Sequence, residues 1–150
     1  MKTMTLKTWF VSLAMLLCCT SALAYDFEIN GLVYTIISEE EKTVSLVSWQ
    51  PIALGSNGHV KIPETVVYKD VEYHVTTIGK EAFIGCLDLK AVDIPNSIRK
   101  IEESAFYACS KLYEIVIPNS VTSIEAEAFR NCSELRSLEI PQNVTSIGKR

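Results

Sequence analysis

"AFIGCLDL" at 82–89, "AFYACSKL" at 105–112 and "AFRNCSEL" at 128–135 are one phrase written three times, 23 residues apart. Other columns keep the same phase. Ile94, Ile117 and Ile140 are each followed by a proline, Pro95, Pro118 or Pro141. Ile98, Val121 and Val144 keep step, as do Ile78, Ile101, Ile124 and Ile147. Eight columns in phase (Ala, Phe, Cys, Leu, Ile, Pro, Ile/Val and Ile) predict a stack of equivalent units around a shared core.

Each unit can be read locally. Leu135 to Ile140 alternates apolar and polar residues, which predicts a short strand with one face inward. The following proline lacks an N–H and ends the ladder. Val121-Thr122-Ser123-Ile124 is a second short extended piece. Glu102 to Phe106 and Glu125 to Phe129 are expected to form short helical turns, their carboxylates facing the positive end of the helix dipole. A unit this small cannot bury enough surface alone, so neighbours must share core and backbone hydrogen bonds. A period in this range with leucine-like columns marks a leucine-rich-repeat solenoid. The expected fold is therefore a β-rich leucine-rich-repeat solenoid, with 23-residue repeats of short parallel strands plus short helical turns, behind an N-terminal antiparallel β cap.

The spacing also bears on the cysteines. Stacked strands lie about 4.8 Å apart with equivalent side chains parallel, whereas a disulfide needs convergent Cβ atoms about 3.5–4.5 Å apart. Cys86, Cys109 and Cys132 therefore read as a buried thiol ladder of structural side chains. No Cys-x-x-Cys or nearby histidine supports a metal site. A fixed core column gives no electropositive, exposed setting for a catalytic thiol.

The first 24 residues read as a secretory signal peptide. Lys2 and Lys7 precede the nearly apolar run Trp9–Leu17, which is too short to span a bilayer, and Ala22-Leu23-Ala24 fits a cleavage site before Tyr25. Leu17 before Cys18 fits a lipoprotein signal poorly. Two of the 14 basic residues lie in this leader, and the 12 that remain against 18 acidic ones leave a net charge of −6. That balance argues against nucleic acid or an anionic membrane as partner, and no stable membrane span is expected after cleavage.

Residues 25–61 lack the repeat and are expected to form the β-rich cap. Phe27–Ile29, Asn30-Gly31 and Leu32–Ile37 read as a tight hairpin, and Thr43–Val47 as a further strand. Residues 49–58 read as a loop. The repeats are assigned to 62–150, the last one incomplete. Pro63 and Pro95 are 32 residues apart, nine more than one period, so a hairpin insertion at about 65–75, turning at Lys69-Asp70, is expected in the first repeat.

The phrase I-[GE]-x-x-A-F-x-x-C-x-x-L-x-x-[VIL]-x-I-P-x-x-[VI]-x-x-I resembles the BspA-like leucine-rich repeats. "IPNS" at 94–97 and 117–120 is specific to that family. The resemblance covers Ile62 to Arg150, and Tyr25–Val75 looks like the β-rich leader that often precedes such repeats. It implies a non-enzymatic bacterial surface or secreted binding module, with adhesion as its usual role. The family motif contains no catalytic residue.

Other motifs add no chemistry. His59 and His74 lie on expected strands of the cap region, Gly79-Lys80 is followed by Glu81 and is no phosphate loop, and "LGSNG" at 54–58 is a turn. Two sequons, at Asn131 and Asn143, include or flank core columns, and Asn131 reads as a turn residue. Glu102, Glu103 and Glu125 read as a solvated face. The outward strand positions Ala91, Asp93, Glu114, Val116, Ser137 and Glu139 form a candidate binding strip, mildly acidic and about 15 Å wide. No catalytic, metal or cofactor site is expected. Three functional readings follow: a secreted or cell-surface module binding a protein or a glycan end; an assembly element that self-associates through an open C-terminal edge; or a truncated piece of a longer array.

Overall fold

The computed structural model describes residues 25–49 and 57–149. Among the described residues, eleven strands fall into two sheets. In the larger one, β1 (Phe27–Ile29) and β2 (Leu32–Ser38) form the expected hairpin. Asn30 and Gly31 turn it with φ of 53° and 78°, the left-handed values that suit a two-residue turn. β3 (Thr43–Trp49) pairs antiparallel with β2, and the direction then changes. β6 (Val71–Ile78), β8 (Lys100–Ile101), β10 (Ser123–Ile124) and β11 (Ser146–Ile147) continue from β3 as a parallel ladder. β5 (Thr65–Tyr68) folds back on β6 across Lys69-Asp70, forming a hairpin where the nine extra residues fall.

Register follows the repeat without slippage. Thr77, Lys100, Ser123 and Ser146 align, and so do Ile78, Ile101, Ile124 and Ile147. The residue after each isoleucine donates its N–H to the preceding level: Gly79 to Leu46, Glu102 to Ile78, Glu125 to Ile101 and Gly148 to Ile124, all at 2.7–2.9 Å. Leu46 of β3 thus occupies the isoleucine column, and the N-terminal segment supplies the level on which the repeats stack. Gly79 is required there, since a Cβ would meet Ser45 Oγ at 2.8 Å and the Leu46 carbonyl at 2.9 Å.

The smaller sheet is parallel and contains β4 (His59–Lys61), β7 (Ala91–Asp93) and β9 (Glu114–Val116). β4 lies in line with the repeat strands, just before the repeats assigned to 62–150: His59-Val60-Lys61-Ile62-Pro63 matches Ala91-Val92-Asp93-Ile94-Pro95. One sequence expectation fails around this sheet. The third strand, expected within 135–140, is absent. Leu89 and Leu112 are fully buried, whereas Leu135 is half-buried and Ile140 is 42 % exposed, so less burial holds that segment in register.

The helical turns are also absent; 80–85, 103–108 and 126–131 are turns. Glu81, Ser104 and Glu127 share a left-handed φ of 55–59°, as do Gly85, Ala108 and Asn131 at 58–66°. Alternate N–H groups then leave the unit. Those of Glu81, Phe83 and Gly85 donate to Glu103, Ala105 and Tyr107 of the next repeat, while Ala82, Ile84 and Cys86 bond three residues back. A helix would direct all of them along its own axis. Between turns and sheets, Phe83, Phe106 and Phe129 stack with centroids 5.0 and 5.3 Å apart and planes within 5°.

Candidate functional site

The strand face of the smaller sheet carries the candidate strip, and the repeat register decides which side chains meet. His59, Ala91 and Glu114 are aligned partners, and so are Lys61, Asp93 and Val116. Asp93, Glu114 and Val116 are exposed, Val116 to 72 %. Ser137 and Glu139 are exposed as well, but on the segment that does not pair as a strand. Ala91 is only 7 % exposed, a methyl between the longer side chains of its partners His59 and Glu114, so it adds little contact surface.

Sequence reasoning missed two residues of this face. His59 and Lys61 begin it, and the His59 ring Nε2 lies 3.2 Å from Asp93 Oδ1. The x-V-x-I-P pattern was the signal for them, hidden by the nine-residue insertion. Shallow grooves of about 510 and 720 Å³ flank β9, and both are lined by Val116, Ile117 and Asn119. Asn96, Asn119 and Gln142, one per repeat, wall them with exposed amides.

The thiol column is buried and unbridged: Cys86 is 2 % exposed, Cys109 0 % and Cys132 9 %. It does more than fill space. Cys109 Sγ donates to the Phe83 carbonyl at 3.0 Å, and Cys132 Sγ to the Phe106 carbonyl at 3.1 Å. Each thiol thus ties its level to the one before. The neighbouring Cys132 draws the Cys109 pKa down, but Cys86 and burial outweigh it and push the thiol up to about 12. Cys109 and burial raise Cys132 as well. Thiols held protonated in this way are poor nucleophiles at neutral pH.

The turn carboxylates are also more than a solvated face. Glu102 Oε2 accepts the Lys80 N–H at 3.0 Å and Glu125 Oε2 the Glu103 N–H at 3.2 Å, each reaching back one repeat. Lys100 Nζ bridges the pair, 3.1 Å from Glu102 and 2.7 Å from Glu125. Its hydrogen bond to Glu125, then that to Glu102, raises the ammonium pKa, and Lys100 lowers that of Glu125. This arrangement joins repeats and has no reacting partner. Among the described residues no group of three or more His, Cys, Asp or Glu is placed to hold a metal ion, and no helix is long and apolar enough to cross a membrane. Residues 1–24, with the expected signal peptide and Ala24 of its Ala24–Tyr25 junction, lie outside the described residues; Tyr25 is exposed.

Comparison with known proteins agrees with this architecture. Residues 62–150 match the BspA type leucine rich repeat region, in six copies. A leucine-rich repeat protein of Bacteroides ovatus is 39 % identical with a TM-score of 0.75, over 83 % of this chain and 32 % of its own. A leucine-rich repeat protein of T. pallidum is 25 % identical (TM-score 0.69), over 82 % of this chain and 53 % of its own. A leucine-rich cell surface protein of Faecalibacterium prausnitzii, 22 % identical, shares the fold with a TM-score of 0.58, over 88 % of this chain and 44 % of its own. The chain thus spans only part of the length of each of these. No curated protein matches it.

Proposed function

The chain belongs to the BspA type leucine-rich repeat family, and from that premise we propose that it is a secreted or cell-surface adhesion module that binds other proteins through the face of β4, β7 and β9. One observation carries this reading. The strand face exposes Val116, Asp93 and Glu114 beside two open grooves, while the equivalent inward positions are buried. Binding through such a face needs no catalytic group, which accords with a non-enzymatic repeat module. The amides and carboxylates there could also hold a glycan end. The signal-like leader over 1–24 supports export, and a solenoid closed at its N-terminal end by the β1–β3 cap would present the strand face to solvent.

The experiment is solid-phase binding of the purified chain to host matrix proteins and to bacterial surfaces, with Val116→Asp as the control. Saturable binding that the variant loses while keeping its melting temperature is expected. Binding unchanged by the variant would remove the strand face from the account.

A second reading has its own observation. Phe129, Leu135, Leu138, Ile140 and Ile147 line an opening of about 780 Å³, on which another repeat or another chain could stack. Sedimentation of the purified chain across concentrations tests it. Self-association abolished by Ile147→Glu is expected on this reading, and a monomer at all concentrations rules out docking by a second copy.

A further inference from the structure

The chemical class of the partner can be read from the charge pattern, given the reading that the strand face is the binding surface. Two rows run across the paired strands, His59, Ala91 and Glu114 in one and Lys61, Asp93 and Val116 in the other; Ser137 and Glu139 take the equivalent places in the 23-residue spacing and line a groove with Val116. Cationic or titratable nitrogen stands at the β4 end and carboxylate at the other. His59 engages Asp93. Glu114 and Glu139 have no cation within ion-pair distance among the described residues. Asp88, Glu102, Glu103, Glu125 and Glu127 each meet a Lys or Arg within 3.1 Å, whereas Glu81 and Glu134, away from this face, are unpaired too among the described residues. The residues lining the two grooves include no Lys or Arg. Between the unpaired carboxylates stands Val116, 72 % exposed.

We propose that this face docks an extended, Lys- or Arg-bearing segment of a partner protein. Its basic side chains would lie over Glu114 and Glu139, an apolar side chain against Val116, and its backbone along the amides of Asn96, Asn119 and Gln142. An acidic segment would meet like charge across the same surface, which complementary interfaces avoid. Lys61 at the β4 end repels a further basic residue there and so sets the direction in which the segment lies.

Three synthetic peptides test this against the purified chain: alternating Lys–Val, Glu–Val and Ser–Val. The Lys–Val peptide should bind about tenfold more tightly than Ser–Val, more weakly as salt rises, while Glu–Val should not bind. The double variant E114K/E139K should reverse the preference between Lys–Val and Glu–Val. Both positions are exposed, so the variant should keep the parent's melting temperature. If all three peptides bind alike and Val116→Asp abolishes them all, the basic class is wrong and the strand face stands. If no peptide binds, or neither E114K/E139K nor Val116→Asp alters binding, this inference and the strand-face reading both fall.

Discussion

The second and third repeats share their columns but not their burial. Ile117 is 6 % exposed and its counterpart Ile140 42 %; Ile124 is 4 % exposed and Ile147 64 %. Glu114–Val116 pairs with β7, whereas 137–139 pairs with nothing among the described residues. Phe106 lies between two parallel rings, and Phe129 stacks on one. The local sequences are nearly the same, so the difference lies in what covers them. In a stacked array each unit is held mainly by its interfaces with its neighbours, and the same phrase can be a strand in one place and an irregular segment in the next.

Truncating one column at two levels would break this comparison most sharply. Phe106→Ala empties a site covered on both faces and should cost about 3–5 kcal/mol. Phe129→Ala removes a half-buried ring with one stacking partner and should cost about half as much. Urea midpoints of the two variants give the answer. Equal losses would mean that coverage is not what separates the repeats.

Alkali tests the thiol column. The fold pushes the Cys109 thiol up to about 12 from a usual value of 9.0. A raised folded pKa gives stability that is full below pH 9 and is lost as pH climbs toward 12. Cys132 and the buried Tyr34 phenol, raised by burial, act in the same direction. Thermal melts should therefore hold their midpoint up to about pH 9 and fall beyond it. Cys109→Ala should remove part of that fall. A midpoint that rises above pH 9 would contradict the assignment. Native-state alkylation sharpens the contrast between repeats: Cys132, the most exposed of the three, should react before Cys86 and Cys109.

The smallest expected effect is at the turns. Ala108 holds a φ of 58° where the first repeat has Gly85. Ala108→Gly relieves that strain and should raise stability by about 0.5–1 kcal/mol. Asn131→Gly should gain less, because asparagine tolerates the left-handed region better than alanine does. Denaturant titration of both variants checks the order.

Much of the fold was legible because 23-residue spacing maps directly onto zero-slip register. The Ile78, Ile101, Ile124 and Ile147 column of the sequence is the ladder of the larger sheet. The hairpin at Asn30-Gly31 was legible because its turn demands left-handed backbone. The helical turns were misread because Glu-x-x-Ala-Phe carries good local helix signals. Those signals lose to hydrogen bonds that exist only once a neighbouring repeat is in place. On the strand face, Asp93, Glu114 and Val116 were found by alternation, while His59 and Lys61 were missed because the inserted hairpin shifts their phase.

The sequence by itself determined the repeat, its core columns and the residues that alternate outward, because these depend on spacing along one chain. Only the tertiary structure decided that β3 serves as the first level of the ladder, that the thiols and turn carboxylates bond backward to the preceding repeat, and that residues 135–140 form no strand. Each of those depends on what the adjacent level offers: a carbonyl to accept, an N–H to donate or a surface to cover.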